Sequence, residues 1–185
     1  MKHIGVMTVA TVLSMFAWLT LVMNAVTLLM VISLVRKNVT GAALPSTFRA
    51  AASQLAVAVT VAASLGSLYL SEVGDLTPCR WCWIQRIAMY PLAFELLIGR
   101  FTGARLVRRY AVPMALLGLA ASIWHYLLQQ VPVLSDAESC SLTTPCSVTY
   151  IEKFGFISIP WMAGSVLLLT VILLTGVRST DSRIG

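Results

Sequence analysis

Long apolar runs alternate with short polar stretches along this chain, and five of the runs stand out. The first, about 4–35, contains 32 residues and no charge. As a helix it would measure about 48 Å, against a hydrocarbon core of about 30 Å, so it must tilt or extend past the membrane at one end. It is far too long for a signal peptide and lacks a convincing cleavage site, so it reads as a retained helix. The second run, 50–70, is rich in Ala and Ser. Its Ala50, Gln54, Ala58, Ala62 and Gly66 recur every four residues, a stripe of mostly small residues expected to pack closely against a neighbouring helix. Gln54 is expected there to make a packing hydrogen bond. The third run, 82–98, follows a short acidic turn containing Glu72, Gly74, Asp75 and Pro78. The fourth, 111–128, ends in Trp124-His125-Tyr126, and the fifth covers 154–177.

Composition turns these runs into membrane helices. Of all residues, 58% are hydrophobic and 11% charged, which leaves lipid as the solvent for most of the chain. The expected fold class is therefore an all-α integral membrane protein. A net charge of +6 would raise nucleic acid as a partner for a soluble domain, but the charges are scattered among loops and form no patch with interleaved aromatics. They fit Lys and Arg retained on the cytoplasmic side. The connections at 36–49 and 99–110, with the tail, hold nine of them: Arg36, Lys37, Arg49, Arg100, Arg105, Arg108, Arg109, Arg178 and Arg183. The 71–81 turn and the 129–153 loop hold only Arg80 and Lys153, alongside Glu72, Asp75, Asp136, Glu138 and Glu152. This asymmetry predicts an N-terminus outside and a C-terminus inside. The Asn38-Val39-Thr40 sequon then falls on a cytoplasmic loop and carries no meaning.

Both cysteine pairs, Cys79/Cys82 and Cys140/Cys146, land on the outer, oxidising side. Cys79-Arg80-Trp81-Cys82 begins the third run, where a helix start favours a thiolate at the second cysteine. Arg86 lies one turn further, on the same face as Cys82 and about 6 Å away. An arginine one turn inside the membrane boundary is costly, so a role in lowering the Cys82 pKa or attracting an anionic acceptor outweighs simple snorkelling. Haem attachment is excluded because Trp83 stands where a His is required, and a thioredoxin-like fold because no βαβ pattern surrounds the motif. Cys140 and Cys146 enclose Ser-Leu-Thr-Thr-Pro in a long loop, a spacing suited to an exposed, exchanging disulfide. Two pairs on one side suggest a relay from a soluble dithiol, through the loop pair, to Cys79/Cys82 and on to a lipid-soluble two-electron acceptor. Three other readings stay open: a staple or four-cysteine zinc site in a membrane scaffold, a conduit carrying reductant outward, and a transporter. The last is disfavoured by the scarcity of ionisable residues within the runs, Glu95 lying near a cytoplasmic end.

The run from Cys79 through Gln85-Arg86-Ile87-Ala88-Met89-Tyr90-Pro91 resembles the DsbB/BdbC disulfide-bond formation family, its Gram-positive type most closely. Support continues in His125-Tyr126-Leu127-Leu128-Gln129, in Pro145-Cys146 and in Phe154-Gly155-Phe156-Ile157-Ser158-Ile159-Pro160, so the resemblance covers about 50–177. It implies a four-helix bundle that reoxidises an exported thioredoxin-like dithiol oxidase (DsbA/BdbD-like) and passes electrons to quinone, menaquinone or ubiquinone. On that resemblance Cys140 would form the mixed disulfide with the partner and Cys146 would resolve it. Cys79 would receive the electrons and Cys82 would face the quinone. Arg86, His125 and Gln129 would form the quinone site. Trp81, Trp83 and Trp161 could line it, although interfacial belts account for them as well. The additional helix, 1–40, departs from the family pattern, leaving 41–185 as the oxidoreductase domain. The close spacing of Cys140 and Cys146 departs from the Gram-negative form.

Overall fold

The computed structural model of the protein describes residues 2–40, 46–102, 104–137 and 146–176. Within a bilayer no water can satisfy a backbone N–H or C=O, so apolar runs must close their hydrogen bonds internally as helices. The described residues follow that rule with α1 (Lys2–Thr40), α2 (Ser46–Glu72), α3 (Arg80–Thr102), α4 (Ala104–Gln130), the short α5 (Pro132–Ala137) and α6 (Ile159–Gly176). Among these residues the only extended pairing is an isolated bridge between Lys153 and Ile157. The protein is an all-α membrane protein.

Helices α2, α3, α4 and α6 form a ring in which α3 packs on α2 and α4, and α6 packs on α4 and α2. The fifth long helix, α1, stands outside this ring against α6. Among the described residues, four helices are long and apolar enough to cross a membrane: α1, α2, α4 and α6. The sequence reading treats α3 as a crossing segment too. Its 23 residues would reach about 34 Å, but Arg80, Gln85, Arg86, Glu95 and Arg100 dilute its apolarity. Packing between α2 and α4 buries Gln85 and half-buries Arg86 and Glu95.

Small residues let the ring close. Ala52 and Ala56 of α2, Ala111 and Ala115 of α4, and Leu92, Leu96, Leu167, Leu169 and Leu173 form one buried cluster. The buried face of α2 thus runs through Ala52, Ala56, Thr60 and Ser64. The expected stripe lies two residues out of phase with it. Gln54, Ala58 and Ala62 are exposed, and Ala58, Ala62 and Gly66 line a cavity instead. The side chain of Ala50 lies outside the described residues. α2 carries small residues on two faces, so spacing alone did not select the packed one.

Three contacts fix α1. Phe16 lies over Gly66, where an added Cβ would sit 2.8 Å from its Cζ. Trp18 meets Phe154 edge-on at 4.9 Å, and Leu34 packs on Gly176 at the far end of α6. Because Trp18 and Leu34 mate with the two ends of α6, the earlier turns of α1 run past the level where α6 begins.

α4 meets both α3 and α6 at Gly118, where a Cβ would lie 3.0 Å from Ala88 Cβ and from Leu167 Cδ1. Gly118→Val is expected to destabilise the bundle by about 1–3 kcal/mol through overpacking. A melting temperature in detergent equal to that of the parent would contradict this crossing.

Candidate functional site

The site is built where α2 ends and α3 begins. Val73 and Gly74 donate their N–H groups to the Tyr69 carbonyl, and Leu76 donates to Leu70, ending α2 in a tight turn. Gly74 is required there, since a Cβ would lie 2.6 Å from the Leu70 oxygen. Asp75 follows with φ 55°, a left-handed conformation that Asp tolerates better than most residues. The chain then reaches Cys79, whose carbonyl accepts the N–H of Trp83 at 3.1 Å and so opens α3. Cys79 is therefore the cap of α3, and its Sγ accepts the N–H of Cys82 at 3.4 Å. The sequence reading places the Cys79–Cys82 pair at a helix start, as found, and in the structure the Cys82 amide itself goes to Cys79 Sγ. The amides of Arg80 and Trp81 act on Cys146.

Three thiols and an imidazole meet at this cap. The Sγ atoms of Cys79 and Cys82 are 2.9 Å apart. His125, fully buried on α4, places Nε2 3.5 Å from Cys79 Sγ. Its Nδ1 is 3.3 Å from the amide nitrogen of buried Gln85. With that amide as donor, Nδ1 accepts and Nε2 carries the hydrogen, so the imidazole donates to the Cys79 sulfur. The hydrogen bond to Cys82, followed by burial, pushes the Cys79 thiol up to about 12, while His125 pulls the other way. The shared proton accordingly stays on Cys79. Burial also pushes the Cys146 thiol up against the opposing pull of the Trp81 amide, and Cys146 interacts directly with Cys79.

Side chains clamp the Cys146 segment onto this end of the bundle. Gln129 donates its amide to the Val148 carbonyl at 3.3 Å, and Tyr150 donates its hydroxyl to the Thr77 carbonyl at 2.9 Å. Phe154 (φ 59°) and Gly155 (φ 76°) then turn the chain sharply into α6. Phe156 stacks edge-on against Trp161 at 5.3 Å.

On the other side of the cysteines lies a partly open cavity of about 510 Å³, bordered by α1, α2, α3 and α6. Its walls are almost entirely aliphatic, and Cys82, Gln85, Arg86 and Ser67 supply its polar end. Arg86 is held there by Ser67, donating Nε to its hydroxyl at 3.0 Å and an Nη to its carbonyl at 2.9 Å. Trp83 lies beneath the guanidinium, 5.4 Å from ring to Cζ. The charge is thus tied to α2, at the edge of the cavity.

The sequence-derived residues divide between the two sides. Cys79, His125 and Gln129 border a water-sized void of about 10 Å³, which Cys82 also touches. Arg86 faces the large cavity, and neither His125 nor Gln129 lines it. Cys140 lies outside the described residues. Trp81 packs on Trp124, and Trp161 on Tyr126; neither these two nor Trp83 lines the cavity. Sequence reasoning missed Gln85 and Ser67. Gln85 sits within the Cys79–Arg86 run and was available as a signal. Ser67 is one of several serines in α2, and nothing in the sequence distinguishes it. The sulfurs of Cys79 and Cys82 and a ring nitrogen of His125 lie within 4.8 Å of one another, a separation that also suits a soft metal ion.

Comparison with known proteins gives a consistent result. The family model described as disulfide bond formation protein DsbB matches residues 49–176. Disulfide bond formation protein C of Bacillus subtilis (strain 168) is 47% identical over 125 residues, covering 68% of this chain and 91% of the relative. A probable disulfide formation protein C of Halalkalibacterium halodurans is 41% identical over 110 residues, covering 60% and 80%. A probable disulfide formation protein of Coxiella burnetii (strain CbuK_Q154) is 39% identical over 125 residues, covering 66% and 85%. No solved structure gives a significant match.

The high position of Cys79 has a measurable consequence. A thiol held near 12 gains thiolate about tenfold per pH unit through the range 8–10. Alkylation of Cys79 in the fully reduced protein, followed site by site by mass spectrometry, should therefore rise across that range without a plateau. Cys82→Ala removes the largest upward influence and should move the rise to lower pH. A plateau below pH 9 in the parent would refute this placement of the proton.

Proposed function

The chain belongs to the DsbB family of disulfide bond formation proteins, and from that premise we propose that it is a thiol oxidase of the bacterial cell membrane. It re-forms the disulfide of an exported thioredoxin-like dithiol oxidase and passes the electrons to a membrane quinone. The observation that carries this reading is the contiguity of the parts. Cys146 lies close enough to Cys79 for the two thiols to influence each other electrostatically, Cys79 is hydrogen-bonded to Cys82, and Cys82 stands in the wall of an apolar cavity beside Arg86.

Thiol exchange follows that order. A thiolate of the partner attacks Cys140 of the Cys140–Cys146 disulfide, forming a mixed disulfide and releasing Cys146. Cys146 attacks Cys79 of the Cys79–Cys82 disulfide; a Cys146–Cys79 bond forms and Cys82 leaves as a thiolate. The partner's second thiol displaces Cys140 and departs oxidised. Cys140 then attacks Cys146, restoring the loop disulfide and releasing Cys79. His125, donating to the Cys79 sulfur, stabilises the negative charge that appears there. The dithiol Cys79/Cys82 remains, carrying the two electrons and two protons lost by the partner. A quinone supplies an acceptor for that pair of electrons and protons.

The residues present fit such an acceptor. The cavity is mostly aliphatic along its length, with Cys82, Gln85, Arg86 and Ser67 gathered at one end, which suits a polar ring on an apolar tail. Arg86, anchored by Ser67, holds a positive charge where negative charge would accumulate. The excess of Lys and Arg in the 36–49 and 99–110 connections supports an N-terminus outside, with the cysteines facing the exported partner. The oxidoreductase domain is then 41–185.

A second reading rests on the Cys79, Cys82 and His125 cluster: a structural zinc site that would silence these thiols. Metal content of the purified protein, with the redox state of the cysteines in cells, separates the two. A relay cycles and is metal-free, whereas a structural site holds stoichiometric zinc.

In a coupled assay with a reduced thioredoxin-like partner, the parent should reduce added quinone and Cys82→Ser should abolish this. Turnover retained in that variant would sink the relay. Arg86→Ala removes a charged contact worth about 1.5–3 kcal/mol, so the quinone KM should rise roughly tenfold or more while partner thiol exchange continues. Unaltered quinone kinetics would refute that role. Mixed with the oxidised form of the partner, whose disulfide the free Cys140 thiol attacks, Cys146→Ser should accumulate a mixed disulfide joining Cys140 to the partner, the second partner thiol being released.

A further inference from the structure

Helix α1 lies outside the 49–176 stretch matched by the family model, yet it forms one wall of the cavity that reaches Cys82. Phe16, Leu19, Thr20, Val22, Met23 and Val26 line it from α1. α1 packs on α6 and touches α2 at Phe16 over Gly66. Below that point the space between α1 and α2 stays open, walled on the α2 side by Leu55, Ala58, Val59, Ala62 and Ala63. From Leu70 to Leu55 the α2 wall runs about 22 Å at 1.5 Å per residue. The cavity is therefore a channel, polar at the thiol end and mostly aliphatic for the rest of its length. Without α1 the same surface of α2 and α6 would be an open groove facing lipid.

We propose that α1 is the fourth wall of a binding channel for the isoprenoid tail of the quinone, converting a groove on the bundle into a walled, tail-selective site. This rests on the quinone reading given above. The chemistry recognised is a long, flexible hydrocarbon chain attached to a compact polar ring. The ring is placed by Cys82, Gln85 and Arg86, and the chain by α1 against α2. The small residues Ala58, Ala62 and Ala63 keep the channel wide, while Phe16 closes it beside the polar end. Selectivity for tail length then arises from a helix that touches none of the reacting sulfurs.

Two measurements on the full-length protein test this. In the first, a long-tailed quinone carrying a photoreactive diazirine near the end of its tail is cross-linked and the adducts are mapped. Adducts are expected on α1 between residues 16 and 26 as well as on α2, and unlabelled long-tailed quinone should displace them. Adducts confined to α2 and α6, or adducts on α1 that unlabelled quinone fails to displace because acyl chains fill the channel, would overturn the proposal. In the second, Val26→Trp and Met23→Trp narrow the channel. Each should raise the ratio of KM for long-tailed over tail-less quinone by roughly tenfold, whereas Leu28→Trp, on a lipid-facing position outside the channel, should leave the ratio within about twofold. An unchanged ratio in both narrowing variants, with the parent active, defeats the role of α1 alone. A parent that reduces no quinone and yields no displaceable adduct defeats the quinone reading, and the role of α1 with it.

Discussion

The first turn of α3 leaves backbone N–H groups that no carbonyl of the helix can accept, and in this protein a cysteine sulfur accepts one of them. Cys79 caps the helix with its own thiol, and the amides of Arg80 and Trp81 reach Cys146 from a loop nearly seventy residues away in the chain. The other features of the site follow from that arrangement. Gly74 and Asp75 must turn the chain sharply enough to bring Cys79 to the cap. Gln129 and Tyr150 must hold the Cys146 segment down against it. His125 must rise from α4 to meet the sulfur that the cap has fixed. A helix end elsewhere would be satisfied by Ser or Asp; here the same requirement gathers thiols that can exchange.

The cap also divides the site into two media. On the Cys79 side lie an imidazole, an amide and a water-sized void, a setting for moving protons and breaking sulfur–sulfur bonds. On the Cys82 side lies an aliphatic channel with a single tethered guanidinium. Two sulfurs 2.9 Å apart span that boundary. On the proposed relay, electrons would cross it by a change of partner at sulfur. Gln85 links the halves: its amide orients His125, and its side chain faces the channel.

How much of this was legible in the sequence depends on the kind of contrast each feature makes. The helices were readable because lipid permits few alternatives for long apolar runs, and the Cys79–Arg86 run was readable because cysteine pairs and intramembrane arginines are costly or rare. The packed face of α2 was misread for the opposite reason. Ala58 and Ala62 on one face and Ala52 and Ala56 on another are chemically alike, and only tertiary contact shows which pair is buried. Ser67 was invisible because a serine in a helix ordinarily bonds back to its own turn, as Ser64 does to Thr60, and nothing in the sequence marks the one that instead receives Arg86. His125 and Gln129 were expected with Arg86 at one acceptor site. They fall on the proton side of the thiols, because α4 reaches the cap from the face opposite α2.

The same limit explains why α1 discloses so little in one dimension. A helix in water declares its buried face by the contrast between polar and apolar positions, but α1 is uncharged and mostly apolar between Val9 and Val35. Its lipid face, with Leu28 and Leu29 exposed, and its channel face, with Thr20, Met23 and Val26, differ in size and shape more than in polarity. What separates them is where α1 is pinned: Phe16 to Gly66 and Leu34 to Gly176, both glycines that admit a side chain where a Cβ would collide. Between those pins α1 follows α6 and stands off from α2, and the gap is the channel. The function of a mostly apolar helix in a membrane protein is therefore set by its points of close approach, and these are recorded in the small residues of its neighbours rather than in its own sequence.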